Sequence, residues 1–187
     1  MDDEIVQRNL YVNMEREHLE DLPSFPLPTG IRMKWYERGD EQIWVDIHRL
    51  AEDYVPVSLD VFRRVFGDDE QALCERQCFL FDAQRVPIAT ATAWFENDFH
   101  GLPFGRVHWV AVVPDYRGQG LSKPLLSIVL SRMSELGHQR VFLRTSTARL
   151  PAIELYRGFG FVPSLRSEEE REIWRRLNSH LREPFDV

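Results

Sequence analysis

The 187 residues carry 23 basic and 30 acidic side chains, a net charge of −7, and 43% hydrophobic content, which suits one domain with a packed core and sits far from the composition of disordered chains. That charge repels nucleic-acid phosphates and anionic lipid, and the longest apolar run, around Val107 to Pro114, is far short of the roughly 20 residues that span a bilayer. Acidic Asp2, Asp3 and Glu4 argue against a secretory signal, and Cys74 and Cys78 lack metal-ligand spacing, so a cytoplasmic protein with reduced thiols and no metal is expected.

Residues 1–29 read as an extended arm, because the prolines of Leu22-Pro23-Ser24-Phe25-Pro26-Leu27-Pro28 exclude helix. Ile31 to Tyr36 alternates apolar and polar side chains, the period of a strand. Asp40 is placed to cap a helix bearing Ile43, Ile47, Leu50, Ala51 and Tyr54, and Ser58 caps a second that carries Phe62 and Phe66 and stops at Gly67. Cys78 to Asp82 and Val86 to Phe95 form a hairpin, and the polar stretch Glu96 to Gly105 reads as a loop. The continuous apolar run Val107 to Val113 is a strand covered on both faces. A helix follows with Leu121, Leu125, Val129, Met133 and Leu136 on one face, Pro124 in its first turn and Gly137 at its end. Arg140 to Thr145 is a strand, Pro151 to Arg157 a short helix, and Gly160 to Pro163 a final strand. Ser167 and Glu170 form a capping box for a last helix. The order implies an α/β (α+β) fold, one mixed sheet layered with helices. It divides into the arm (1–29), a main domain (30–163) and a C-terminal helix packed on it (164–187).

The stretch Pro114-Asp115-Tyr116-Arg117-Gly118-Gln119-Gly120-Leu121-Ser122 joins a buried strand to a helix. Glycines there permit positive φ and let an anion approach main-chain N–H groups at the positive end of the helix dipole. Lys123 stands where a dinucleotide fingerprint needs a third small residue, and it precedes Pro124 rather than Ser or Thr, so neither that fingerprint nor a P-loop fits.

This loop, together with Ala152-Ile153-Glu154-Leu155-Tyr156-Arg157-Gly158-Phe159-Gly160-Phe161 about thirty residues later, resembles the GCN5-related N-acetyltransferase superfamily. The resemblance covers roughly residues 30–163 and implies a sheet splayed open to admit acetyl-CoA. It also implies that Val110, Ala111 and Val112 bind pantetheine through their backbone, and that Arg117, Gly118, Gln119, Gly120, Leu121, Ser122 and Lys123 surround the pyrophosphate. Two departures stand out: Ser122 where relatives have Gly or Ala, and Arg149 where many have a cofactor-contacting Asn.

Acyl transfer to an amine needs a neutral nucleophile, a donor for the developing oxyanion and a proton or hydrogen bond for the departing thiolate. The resemblance assigns the last role to Tyr156 and the oxyanion to the Val112 N–H. His108 matches a catalytic histidine of one relative, and an imidazole's ordinary pKa near 6.5 suits a base; Glu96, Asp98 or water are the alternatives. The aromatic residues Trp44, Phe62 and Phe66, with His48, stay unassigned between core and acceptor pocket. The expected activity is direct acetyl transfer from acetyl-CoA to a primary amine of a small molecule or peptide, with net acidity favouring a cationic acceptor. A non-catalytic CoA-binding module is the alternative, and homodimerisation is left open.

Overall fold

A computed structural model of the chain describes residues 3–187. The helices are α1 (Asp3–Gln7), α2 (Glu41–Ala51), α3 (Leu59–Phe66), α4 (Glu70–Arg76), α5 (Ser122–Glu135), α6 (Leu150–Arg157) and α7 (Glu168–Leu177). The strands are β1 (Tyr11–Arg16), β2 (Arg32–Trp35), β3 (Gln77–Phe81), β4 (Pro87–Phe99), β5 (Leu102–Val112), β6 (Val141–Ser146) and β7 (Val162–Pro163). The chain forms two compact units from interleaved stretches: residues 22–95 with 107–137, and residues 3–21 with 96–106 and 138–187. The long strands β4 and β5 contribute residues to both. Strands flanked by helices make the fold a mixed α/β sheet, as expected.

In the unit of residues 22–95 and 107–137 the strand order is β2-β3-β4-β5, with β3 antiparallel to both β2 and β4. β4 is buried on both faces from Ile88 to Ala93. Its threonines are tolerated there because they are hydrogen-bonded: Thr90 Oγ1 donates to the Cys78 carbonyl at 2.9 Å, and Gln77 Nε2 donates to Thr92 Oγ1 at 3.1 Å. Ser58 caps α3 by accepting from the Val61 N–H, and Gly67 ends it at φ 68°. Asp40 stands at the start of α2 but does not cap it: its carboxylate instead accepts from the Glu37 N–H at 2.8 Å and pairs with Lys34. α4, which periodicity had not revealed in so short a stretch, is capped by Asp69. Cys74 and Cys78 are free thiols, the latter buried.

In the other unit the order is β5-β6-β1-β7, with β1 antiparallel to β6 and β7. Residues 11–16, expected within an extended arm, are therefore a paired strand whose inward side chains Val12 and Met14 are buried. The stretch 96–105 is likewise strand and not loop: β4 and β5 continue to a two-residue turn at His100 (φ 55°) and Gly101 (φ 81°), the positive-φ pair that a tight hairpin demands. Polar side chains had masked the pairing, because one face there is solvated. The capping box on α7 forms as expected, with Ser167 accepting from the Glu170 N–H and Glu170 accepting in return. No helix of the described residues is long and apolar enough to cross a membrane.

Candidate active site

β5 carries the expected edge residues Val110, Ala111 and Val112 at its end. Just before them Trp109 takes a left-handed backbone, φ 48°, in the middle of the strand. A bulky residue there is uncommon and costs about 1–3 kcal/mol, so the surrounding packing has to enforce it. Trp109 is held by Trp44 and His48, each 5.0 Å away between ring centroids. Phe104, Gly105 and Val107 of β5 are buried, and full burial is lost from His108 to Val110. Thus the pleat is interrupted next to the proposed pantetheine edge.

A single 3-10 turn, Pro114–Tyr116, leads from β5 into the glycine loop. Tyr116 donates its hydroxyl to Asp82, whose other carboxylate oxygen accepts from the N–H groups of Gln84 and Val86. The Tyr116 hydrogen bond, with those backbone donors, holds the Asp82 carboxyl below the usual carboxylate range, and the same bond raises the Tyr116 phenol. Arg117 spans the loop's base: Nε donates to the Val112 carbonyl at 3.2 Å and Nη2 to the Ala51 carbonyl, at the end of α2, at 2.8 Å. Its guanidinium is thus engaged with main chain, while Gln119 braces the loop through the Asp115 carbonyl.

Gly118 and Gly120 have φ of 75° and 77°, and nothing lies within 4 Å of where a Cβ would stand on either. The loop from Arg117 to Gly120 is exposed, and no side chain caps the first turn of α5 at Leu121, Ser122 and Lys123. An uncapped helix start with open glycines before it fits a diphosphate: the main-chain donors are unblocked and no Cβ keeps the anion away. The Lys123 ammonium sits over the Phe25 ring at 5.0 Å.

Trp44, His48, Phe62 and Phe66 are all at most 3% exposed; Trp44 meets Phe62 and Phe66 edge-on and His48 at a tilt. They are core, and they form the wall on which half-buried His108 rests, 5.8 Å from Phe66.

In the other unit Tyr156 lies on α6, 8% exposed, and its ring meets Phe161 edge-on. Burial pushes the phenol up to about 12, against the pull of the Arg149 charge. Arg149 stands at the N-terminal end of α6, its carbonyl accepting from the Ala152 and Ile153 N–H groups. Asp98 accepts from the Gly101 N–H and serves the hairpin turn, while Glu96 lies on β4 and not in a loop. No group of His, Cys, Asp and Glu that could hold a metal occurs among the described residues.

The sequence model of the acetyltransferase (GNAT) family matches residues 29–161. The chain belongs to that family. It is 30% identical over 169 residues to a mycothiol acetyltransferase of Saccharomonospora viridis, covering 82% of this chain and 53% of the relative. A mycothiol acetyltransferase of Pseudarthrobacter chlorophenolicus is 28% identical, covering 76% of this chain and 46% of the relative. The chain thus spans about half the length of the curated relatives it matches. Among solved structures, a GCN5-related N-acetyltransferase from Sphaerobacter thermophilus superposes with a TM-score of 0.68 at 20% identity, covering 82% of this chain and 48% of that one. An aminoglycoside 6'-N-acetyltransferase from Acinetobacter baumannii gives 0.57 at 16% identity, covering 74% and 95%. These GNAT-fold neighbours share the architecture.

Proposed function

We propose that this chain binds acetyl-CoA and transfers its acetyl group to a primary amine of a small molecule. The observation that carries the reading is the open glycine loop, with Gly118 and Gly120 in left-handed conformations before an uncapped α5. The names of the relatives, which act on mycothiol and aminoglycosides, support a small-molecule amine as the acceptor.

Acetyl-CoA supplies an activated acyl group, whose C–S bond breaks as the C–N bond forms. The amides of Gly118 to Lys123 hold the pyrophosphate, and the edge of Val110 to Val112 pairs with pantetheine as a strand would. The Val112 N–H donates to the carbonyl oxygen as negative charge develops on it. His108 takes the proton from the attacking amine. Tyr156, a phenol protonated at neutral pH and made a still weaker acid by burial, donates a hydrogen bond to the departing sulfur.

Calorimetry with coenzyme A and acetyl-CoA tests the reading. Saturable binding is expected, weakened at least tenfold in Gly120→Val, since a branched side chain cannot take φ 77° without moving the loop. Folded protein that evolves no heat with either ligand overturns the proposal.

A further inference from the structure

Opposite the net charge of −7, the unit of residues 3–21, 96–106 and 138–187 gathers arginines on one face. Cross-strand pairing of Tyr11 with Ser146, Asn13 with Arg144 and Glu15 with Phe142 puts these side chains on a common face of β1 and β6. The Arg106 guanidinium, from β5, lies 5.5 Å over the Phe142 ring, which is itself stacked on Phe99 at 3.8 Å. The Arg144 guanidinium lies 5.9 Å over Tyr11, a ring that is 67% exposed, and its Nε donates to Asn13 Oδ1 at 3.3 Å. Arg140 stands 5.5 Å over Phe104.

What this face lacks is a carboxylate in contact with either arginine. Arg106 Nε is buried without a hydrogen-bond partner, and neither Arg106 nor Arg144 has a carboxylate in ion-pair contact among the described residues. Burial and the like charge of Arg144 lower the Arg106 pKa, with Glu96 giving only partial relief. The nearest carboxylate on β1, Glu15, is already held through both oxygens by Arg166 at 2.9 Å. Aromatic rings hold the two planar forks in place without neutralising them. A guanidinium kept half-buried beside another and unpaired is arranged for an anion from outside the chain, because charge-assisted forks suit carboxylate and phosphate.

The geometry points to an oxyanion site on this face, where Arg106 and Arg144 take a carboxylate or phosphate of a small-molecule ligand. The coenzyme's diphosphate is assigned elsewhere, to the glycine loop.

Arginine Nε–Hε NMR signals of the full chain, titrated with inorganic phosphate and separately with succinate, test the subsite. The Arg106 and Arg144 signals are expected to shift together and saturably, with affinity at least tenfold weaker in Arg144→Gln, while the exposed Arg38 signal stays still. Arg144 is exposed, so that variant folds even if Arg106→Gln does not. Shifts that are absent, or that Arg38 shares in proportion, overturn the subsite. The same titrations in saturating coenzyme A decide the occupant. Unaltered shifts support a separate oxyanion ligand; Arg106 signals already moved by coenzyme A but not by its form lacking the 3'-phosphate give the site to the coenzyme and overturn the proposal. Failure of coenzyme A to move the Gly118 and Gly120 amides is a failure of the transferase reading alone, and phosphate and succinate still decide the subsite.

Discussion

Tyr156 illustrates how environment selects among the chemistries a side chain can perform. A phenol raised to about 12 is a poorer acid than a free one, so it does not titrate in the range where the protein works. In the mechanism proposed above it serves as a permanent donor. In Tyr156→Phe, kcat is expected to fall about 100-fold with the KM for acetyl-CoA unchanged. The wild-type rate profile should show no inflection from this phenol below about pH 10, since that lies well under its raised pKa. Steady-state kinetics across pH checks both; an unaltered kcat would remove Tyr156 from the mechanism. Asp82 makes the companion case. Its pKa is lowered in the folded state by Tyr116 and the backbone donors of its turn, so its contribution to stability is complete above the ordinary carboxylate pKa and lost as pH falls through the lowered value. Thermal melts of wild type and Asp82→Asn are expected to differ most above about pH 4 and to converge toward pH 2. A gap that stays constant to pH 2 would show that the bond's charge does not matter.

At the scale of elements, the loop after β5 and the turn after α6 use glycine for different reasons. Gly118 and Gly120 keep space open, whereas a Cβ on Gly160, at φ 77°, would stand 2.6 Å from Arg16 Nη1. Arg16 there links the end of β1 to the turn, donating to the carbonyls of Phe159, His18 and Glu20. Gly160→Ala is therefore expected to cost about 2 kcal/mol or more, combining backbone strain with displacement of that guanidinium. In an Arg16→Ala background only the backbone part should remain. Urea unfolding of the four proteins checks this, and equal costs in both backgrounds would show that the close approach contributes nothing. The same element shows what a strand-period reading misses: β4 and β5 extend through Phe99 and from Leu102 even though their outer ends are polar.

For the whole molecule, net charge was a poor guide to local charge. Seven excess acidic groups are compatible with a face on which neither Arg106 nor Arg144 has a carboxylate in ion-pair contact among the described residues, Glu96 acting on Arg106 only from a distance. The fold has two compact units, and strands such as β4 are long enough to supply residues to both.

The chain by itself determined the strand, glycine loop and helix around Gly118 and Gly120, the caps at Ser58 and Ser167, and the placement of Tyr156 on a short helix. These depend on contacts within a few residues, where φ preferences and spacing suffice. Only the tertiary structure decided that residues 11–16 pair with β6, that Trp109 is forced to positive φ, that Asp82 meets Tyr116 and that Arg106 lies over Phe142. Each joins residues distant in the chain or constrained by distant neighbours, and periodicity carries no information about which remote partner a side chain will find.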